Sequence, residues 1–172
     1  HTYSPNNGFD QRGFDRRERW ETSLRRWVGE VDKLVYVGDL NVAPTDDDLS
    51  HPQWFRSQGS ASGDDKGQPG CTDRERAYFR LLLEEGGLFD AFRASHPREN
   101  DLFSWRGSPG KGDDPFKGRF YGKGMRIDHA LMSSSLRDLL VSCDLLGHGI
   151  DRSGFMGSDH CPIRLRLRSS SE

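Results

Sequence analysis

The sequence predicts an α/β fold, on three observations. Leu34-Val35-Tyr36-Val37 is an unbroken apolar run closed by Gly38, the pattern of a strand buried on both faces. Within residues 15–29, Trp20, Leu24, Trp27 and Val28 fall at i, i+4, i+7 and i+8, the apolar stripe of an amphipathic helix. Residues 163–168 alternate Ile-Arg-Leu-Arg-Leu-Arg, a strand with one apolar and one basic face. The 172 residues suffice for a single domain, and no internal repeat divides them.

In chain order, residues 1–14 are turn-rich around Ser4-Pro5-Asn6-Asn7-Gly8, with Tyr3 closing a strand. Asp15 is the expected N-cap of the first helix, with Glu18 at the capping-box position and Gly29 as the stop. Its two Trp are expected in the core and its Arg and Glu residues on the solvated face. The strand at 33–38 leads into an acidic stretch, Asp46-Asp47-Asp48, which lacks the Gly and Glu of an EF-hand loop. It reads as a solvated loop or a helix start. Residues 51–70 show no period and read as loop. Thr72 caps the next helix with Glu75 three positions on, and Gly86-Gly87 ends it. A short segment at 88–93 follows, and Phe103-Ser104-Trp105 alternates as a half-buried strand does. Residues 125–133 read as a strand with Asp128 embedded in it, residues 136–141 as a short helix, and residues 157–160 as a turn.

Composition bounds the function. Hydrophobic residues make up 33% and charged residues 30%, with 20 Gly, so the apolar supply is lean and loops are many. A lean core fits a long loop, or an apolar face covered by something further. A net charge of −2 gives no global basic footprint for nucleic acid. Locally, Arg106, Lys111, Lys117, Arg119, Lys123 and Arg126 face only Asp113 and Asp114, in a Gly-rich stretch that suits either phosphate contact or an ordinary solvated surface. The three cysteines, Cys71, Cys143 and Cys161, form no CxxC and imply neither a disulfide framework nor a zinc knuckle. An intracellular compartment is expected, and no run approaches the ~18 apolar residues of a membrane span.

Three carboxylate-bearing turns carry the candidate chemistry. Asp39 and Asn41 end the first strand two residues apart, where side chains share a face if the strand geometry persists. A carboxylate beside an amide can hold a water, a hard cation or a phosphate oxygen, although Asp and Asn also favour plain turns. Asp128, within an apolar strand, needs a partner, because a bare buried carboxylate costs several kcal/mol. Arg126 or a histidine would serve. Asp159-His160 precedes the last strand and can supply a polarised imidazole.

Together, GDLN at 38–41, RID at 126–128 and SDH at 158–160 resemble the three C-terminal motifs of the exonuclease III-type AP endonucleases, of the endonuclease/exonuclease/phosphatase superfamily to which DNase I is related. Tyr3-Ser4-Pro5-Asn6, RERWE at 17–21, GDLNVAPTDDDL at 38–49, TDRERAYF at 72–79, DAFR at 90–93 and FSW at 103–105 are similar to family segments in the same order.

The resemblance implies a two-sheet sandwich flanked by helices in four layers, of which this chain supplies roughly the C-terminal half. It implies that Asp39 orients or deprotonates a water and Asn41 holds the phosphate or a metal. Asp159 would bind a divalent metal, His160 would contact the phosphate under the orientation of Asp128, and Tyr3 would bond to the same phosphate with Asn6 close by. Phe103, Trp105 and Met125 match positions that form or flank a pocket for a flipped abasic deoxyribose. Met125 departs from the Trp or Leu of many relatives, which bears on pocket shape. Arg126 and Lys123 are the expected DNA contacts. Oxygen ligands suit magnesium or manganese. The implied activity is hydrolysis of abasic-site DNA, with possible 3′-exonuclease or 3′-phosphodiesterase action. The competing readings are an inositol-phosphate or sphingolipid phosphoesterase and a catalytically incomplete DNA-binding fragment. The family's N-terminal metal-binding Glu has no counterpart here, so the N-terminal half is an expected partner and the fragment alone is expected to be inactive.

Overall fold

The computed structural model describes residues 2–5, 11–59, 61–108 and 118–169. Asn6, Lys111, Asp113, Asp114 and Lys117 lie outside these residues. The strands are β1 (Thr2–Tyr3), β2 (Val35–Asp39), β3 (Leu88–Asp90), β4 (Trp105–Arg106), β5 (Gly124–Met125), β6 (Asp128–Ser133), β7 (Leu140–Leu145) and β8 (Ile163–Leu167). The α-helices are α1 (Gln11–Gly29), α2 (Pro52–Arg56), α3 (Asp73–Glu85) and α4 (Ala91–Ser95).

A central sheet runs in the order β1-β2-β6-β3, with β1 parallel to β2 and the other pairs antiparallel. Side chains alternate across β2, so its two faces feed two cores. On one face Leu34 and Tyr36 join Val28 of α1, Phe79 and Leu82 of α3, and Leu131 of β6. On the other, Val37 packs with Ala130 and Met132 of β6, Phe92 of α4, Cys143 and Leu145 of β7, and Ile163 and Leu165 of β8. The layers are thus helices, central sheet, and a second sheet of β7 and β8 beside α4. A third core under β4 and β5 gathers Leu49, Phe55, Cys71, Met125 and Ile127.

Several local expectations change. Helix α1 runs from Gln11, so Asp15 lies inside it and is not its N-cap. Of its apolar stripe only Val28 is fully buried, and Trp27 is 49% exposed. The buried positions go instead to Phe14, Arg17 and Glu21. Residues 51–70 are not all loop, because Pro52 starts α2 and Phe55 anchors it in the third core. Residues 134–139 form a 3-10 turn, but the expected helix at 136–141 gives way to β7, whose pairing with β8 supplies the alternating strand with its partner. Asp48 is fully buried, so the acidic stretch is not simply solvated. Helix α3 has the expected cap: the Glu75 N–H donates to Thr72 Oγ1 at 3.3 Å, and Thr72 N–H donates back to Glu75 Oε2 at 3.1 Å. Among the described residues no helix is long and apolar enough to cross a membrane.

Candidate active site

The strand ends place the chemistry. Asp39 and Asp128 are directly opposed residues in the β2–β6 register, and Tyr3 is paired with Asp39 from β1. Asp128 therefore stands at the start of β6 and not in its middle. Strand geometry does not persist to Asn41, whose φ of 48° is left-handed. The turn nevertheless folds Asn41 back onto Asp39, its backbone N–H donating to Oδ1 at 2.8 Å and its side-chain amide to Oδ2 at 3.2 Å. The same amide donates to the carbonyl of Ser4 at 2.8 Å. An Asx turn and a functional pair thus coincide.

His160 is the partner that Asp128 needed. Its Nδ1 lies 2.8 Å from Asp128 Oδ2. Asp39, Asp128 and His160 each present a ligand atom within 4.8 Å of the others. The 158–161 turn is stitched to the 104–106 segment: Arg106 N–H donates to the Asp159 carbonyl at 2.9 Å and Cys161 N–H to the Ser104 carbonyl at 2.8 Å. Ser104 Oγ in turn accepts from the backbone N–H of Ile127 at 3.0 Å and of Asp128 at 2.9 Å.

Electrostatics follows from this crowding. Burial pushes the Asp39 carboxyl above its ordinary range, and the negative charge of Asp128 pushes the same way. The hydrogen bond to Asp128 raises His160 above an ordinary imidazole, against the opposing effect of burial. A carboxyl held above its ordinary range thus stands beside an imidazole whose protonated form is favoured.

A pocket of about 320 Å³ opens beside the cluster, lined by Tyr3, Asp39, Asn41 and His160 on one side and by Trp105, Phe120, Met125 and Ile127 on the other. Gln68 and Pro69 complete it. Trp105 and Met125 thus stand where the sequence predicts. Phe103 does not: it is 1% exposed, turned away from this pocket, with the Arg106 guanidinium 4.9 Å from its ring centroid. Arg126 is also a correction. It is fully buried and bound to Asp48 at 2.7 Å and Asp90 at 2.8 Å, so it cannot reach DNA and does not pair with Asp128. Lys123 is half-buried, with its ammonium 4.4 Å from the Trp54 ring centroid.

Asp159 is exposed and outside the three-residue cluster, its carboxylate accepting from Trp105 Nε1 at 3.1 Å. The expected metal set of Asp159, Asp39 and Asn41 is therefore not gathered at one point. The donors still fit a hard divalent cation, since they are carboxylate and amide oxygens and the facing Asp39 and Asp128 carboxylates repel each other.

Sequence reasoning missed several contributors. Arg17 donates to the Leu40 carbonyl at 2.5 Å and the Pro5 carbonyl at 2.9 Å, pinning the turn that carries Asn41. Ile127, inside the RID motif, and Phe120, an aromatic in a basic Gly-rich stretch, had readable signals. Gln68 and Pro69 sit in a stretch with no periodicity and had none.

A sandwich with carboxylates and an imidazole at its strand ends, beside an apolar pocket, can hold a phosphate ester and a water. The chain is 41% identical over 182 residues to a DNA-(apurinic or apyrimidinic site) endonuclease of Arabidopsis thaliana, an alignment covering 99% of this chain and 48% of that one. It is 30% identical to an exodeoxyribonuclease of Bacillus subtilis, covering 95% of this chain and 57% of the relative. In structure it matches a 3′ phosphatase from Neisseria bound to a product DNA hairpin, with a TM-score of 0.74 and 26% identity over 97% of this chain and 59% of that one. No protein-family model matches. The resemblance to exonuclease III-type AP endonucleases thus holds across nearly the whole chain, which spans about half the length of the curated relatives it matches.

Proposed function

We propose that the 172 residues form one domain unit of a DNA-repair phosphodiesterase that cuts 5′ to abasic sites, with 3′-exonuclease or 3′-phosphodiesterase activity in the same site. The observation that carries this reading is the meeting of Asp39, Asp128 and His160 at the rim of a pocket walled by Trp105, Met125 and Ile127. An abasic deoxyribose, lacking its base, suits a small apolar pocket, and the scissile phosphate then lies over the carboxylates.

In this mechanism Asp39 orients a water and accepts its proton, a role helped by its raised pKa. Asn41, with both amide N–H groups taken by Asp39 and the Ser4 carbonyl, offers its Oδ1 to the metal, and Tyr3 donates to the phosphate from the exposed edge of β1. His160, kept cationic by Asp128, neutralises charge as it grows on the phosphoryl oxygens. A magnesium or manganese ion bound at Asp39 and Asn41, with Asp159 swung in from its surface position beside Trp105 to complete the set, would supply Lewis-acid stabilisation there. Among the described residues no Glu joins the cluster, so a segment outside these 172 residues, equivalent to the unmatched half of the relatives, completes the ligand set.

The test is incision of abasic-site duplex in magnesium by this chain alone and together with that segment. Incision by the pair but not by the chain alone is expected, and Asp39→Asn should lower kcat by about 10²–10⁴-fold. Turnover of phosphoinositide in preference to abasic DNA would sink the reading.

A further inference from the structure

Beside the pocket lies an aromatic and cationic surface that the proposed chemistry does not use. Phe120, part of the pocket wall, has its ring centroid 5.7 Å from Trp105 and 5.5 Å from Trp54, both edge to face. Trp54 is therefore one ring beyond the pocket. Two cations gather on it. Lys123 Nζ is 4.4 Å from its ring centroid, and the Arg119 guanidinium lies 5.9 Å from Trp54 and 5.4 Å from Phe120. The platform is firmly held: Phe55, fully buried, packs edge-on to Trp54 at 5.1 Å, and Pro52 opens the turn that carries both.

Packing alone does not explain this composition. Trp54 and Phe120 pack against the third core yet are only half-buried, as is Lys123, so part of each side chain stays open to solvent. The Lys123 ammonium donates to the Arg119 carbonyl at 3.0 Å. Aromatic faces interleaved with cations on a surface continuous with a sugar pocket are what a nucleic-acid strand requires, because bases stack on rings while phosphates meet ammonium and guanidinium groups.

We propose that Trp54, Phe120 and Lys123 form a flanking-nucleotide subsite, in which the base next to the pocketed sugar stacks against Trp54 and its phosphate is met by Lys123. The inference rests on the proposed function and deepens it. Its role is in holding DNA and not in the chemical step, so its loss falls on affinity.

The experiment is fluorescence anisotropy of the full protein with a duplex bearing a tetrahydrofuran abasic analogue, across a series of salt concentrations. Asp39→Asn serves as the parent, so that the DNA stays uncut. Adding Trp54→Ala should weaken binding by about tenfold. Adding Lys123→Gln, a half-exposed position that folding tolerates, should make the slope of log affinity against log salt shallower by about 1. With Asp39 intact, both variants should raise KM for abasic DNA. Parental affinity and parental salt slope in both variants would overturn the subsite while leaving the proposed function standing. Failure of the unsubstituted protein to bind or cut abasic DNA would remove both.

Discussion

His160 and Asp128 are 32 positions apart in sequence, yet Nδ1 of the one lies 2.8 Å from Oδ2 of the other. The contact fixes a pH profile. In the proposed mechanism Asp39 takes a proton, and in the metal-free protein its carboxyl is raised by burial and by the charge of Asp128. His160 must be cationic, and Asp128 raises it, so the basic limb lies above an ordinary imidazole. Asp128→Asn removes the negative charge felt by both groups. The basic limb of the kcat/KM profile should then move to lower pH, towards that of an ordinary imidazole. A basic limb that stays in place would separate His160 from the reaction.

Trp105 does two things at once. Its ring walls the pocket and its indole N–H holds Asp159 at 3.1 Å. Trp105→Phe keeps the wall and removes the donor. Manganese affinity, followed by electron paramagnetic resonance, should change several-fold, whereas affinity for abasic-analogue DNA without metal should stay within about twofold. Trp105→Ala should lose both. Equal effects of Phe and Ala on DNA affinity would show that the ring itself contributes nothing.

The buried cluster of Asp48, Asp90, Arg93 and Arg126 predicts stability and not DNA affinity. Arg126 binds Asp48 and Asp90, and Arg93 also reaches Asp48. Arg126→Leu strands carboxylates in the interior and should cost about 3–5 kcal/mol in urea denaturation. Burial alone would raise Asp48 and Asp90, but Arg126 together with Arg93 at Asp48, and with His129 and the Arg93 backbone at Asp90, outweighs it and holds both carboxyls below their ordinary range. Groups depressed in the folded state stabilise it above their unfolded pKa, near 3.9, and this contribution drains away as pH falls below that. Asp48→Asn should therefore flatten the loss of stability between about pH 4 and pH 2. An unchanged acid slope would remove Asp48 from the account.

What the sequence made legible was what short-range chemistry decides. The Thr72–Glu75 cap, the apolar run of β2 and the alternation of β8 are each dictated within a few residues, and they stand where expected. Motif resemblance found the cluster, because GDLN and SDH occupy strand ends that tertiary structure brings together. Burial of charge was not legible. Arg17 and Glu21 look like a solvated helix face until the Leu40 carbonyl requires a donor, and Arg126 looks like a DNA contact until two carboxylates from distant segments enclose it. Phe103 and Trp105 alternate, so only one can face the pocket, and periodicity does not say which. Strand β7 was missed because a short run such as Leu139-Leu140-Val141 suits a helix or a strand, and pairing with β8 decides.

Gly70 joins the α3 cap to the catalytic turn. Its N–H donates to Glu75 Oε2 at 2.8 Å, and its carbonyl accepts from Ala43 N–H at 2.6 Å. Its φ is +96°, and a Cβ there would lie 3.2 Å from both the Asn41 carbonyl oxygen and Met125 Cε. Met125 is a flexible side chain and can yield. The Asn41 carbonyl belongs to the turn that presents Asp39 and Asn41, and moves only with it. Gly70→Ala should therefore cost about 1–3 kcal/mol of backbone strain and also disturb the site. Gly87→Ala is the matched control, since its φ is +58° and a Cβ there meets nothing within 4 Å. Both variants should melt earlier, but only Gly70→Ala should raise KM for abasic DNA and lower kcat. Equal kinetic parameters in the two variants, at comparable losses of stability, would show that the 68–71 turn supports the fold without setting the geometry of the site.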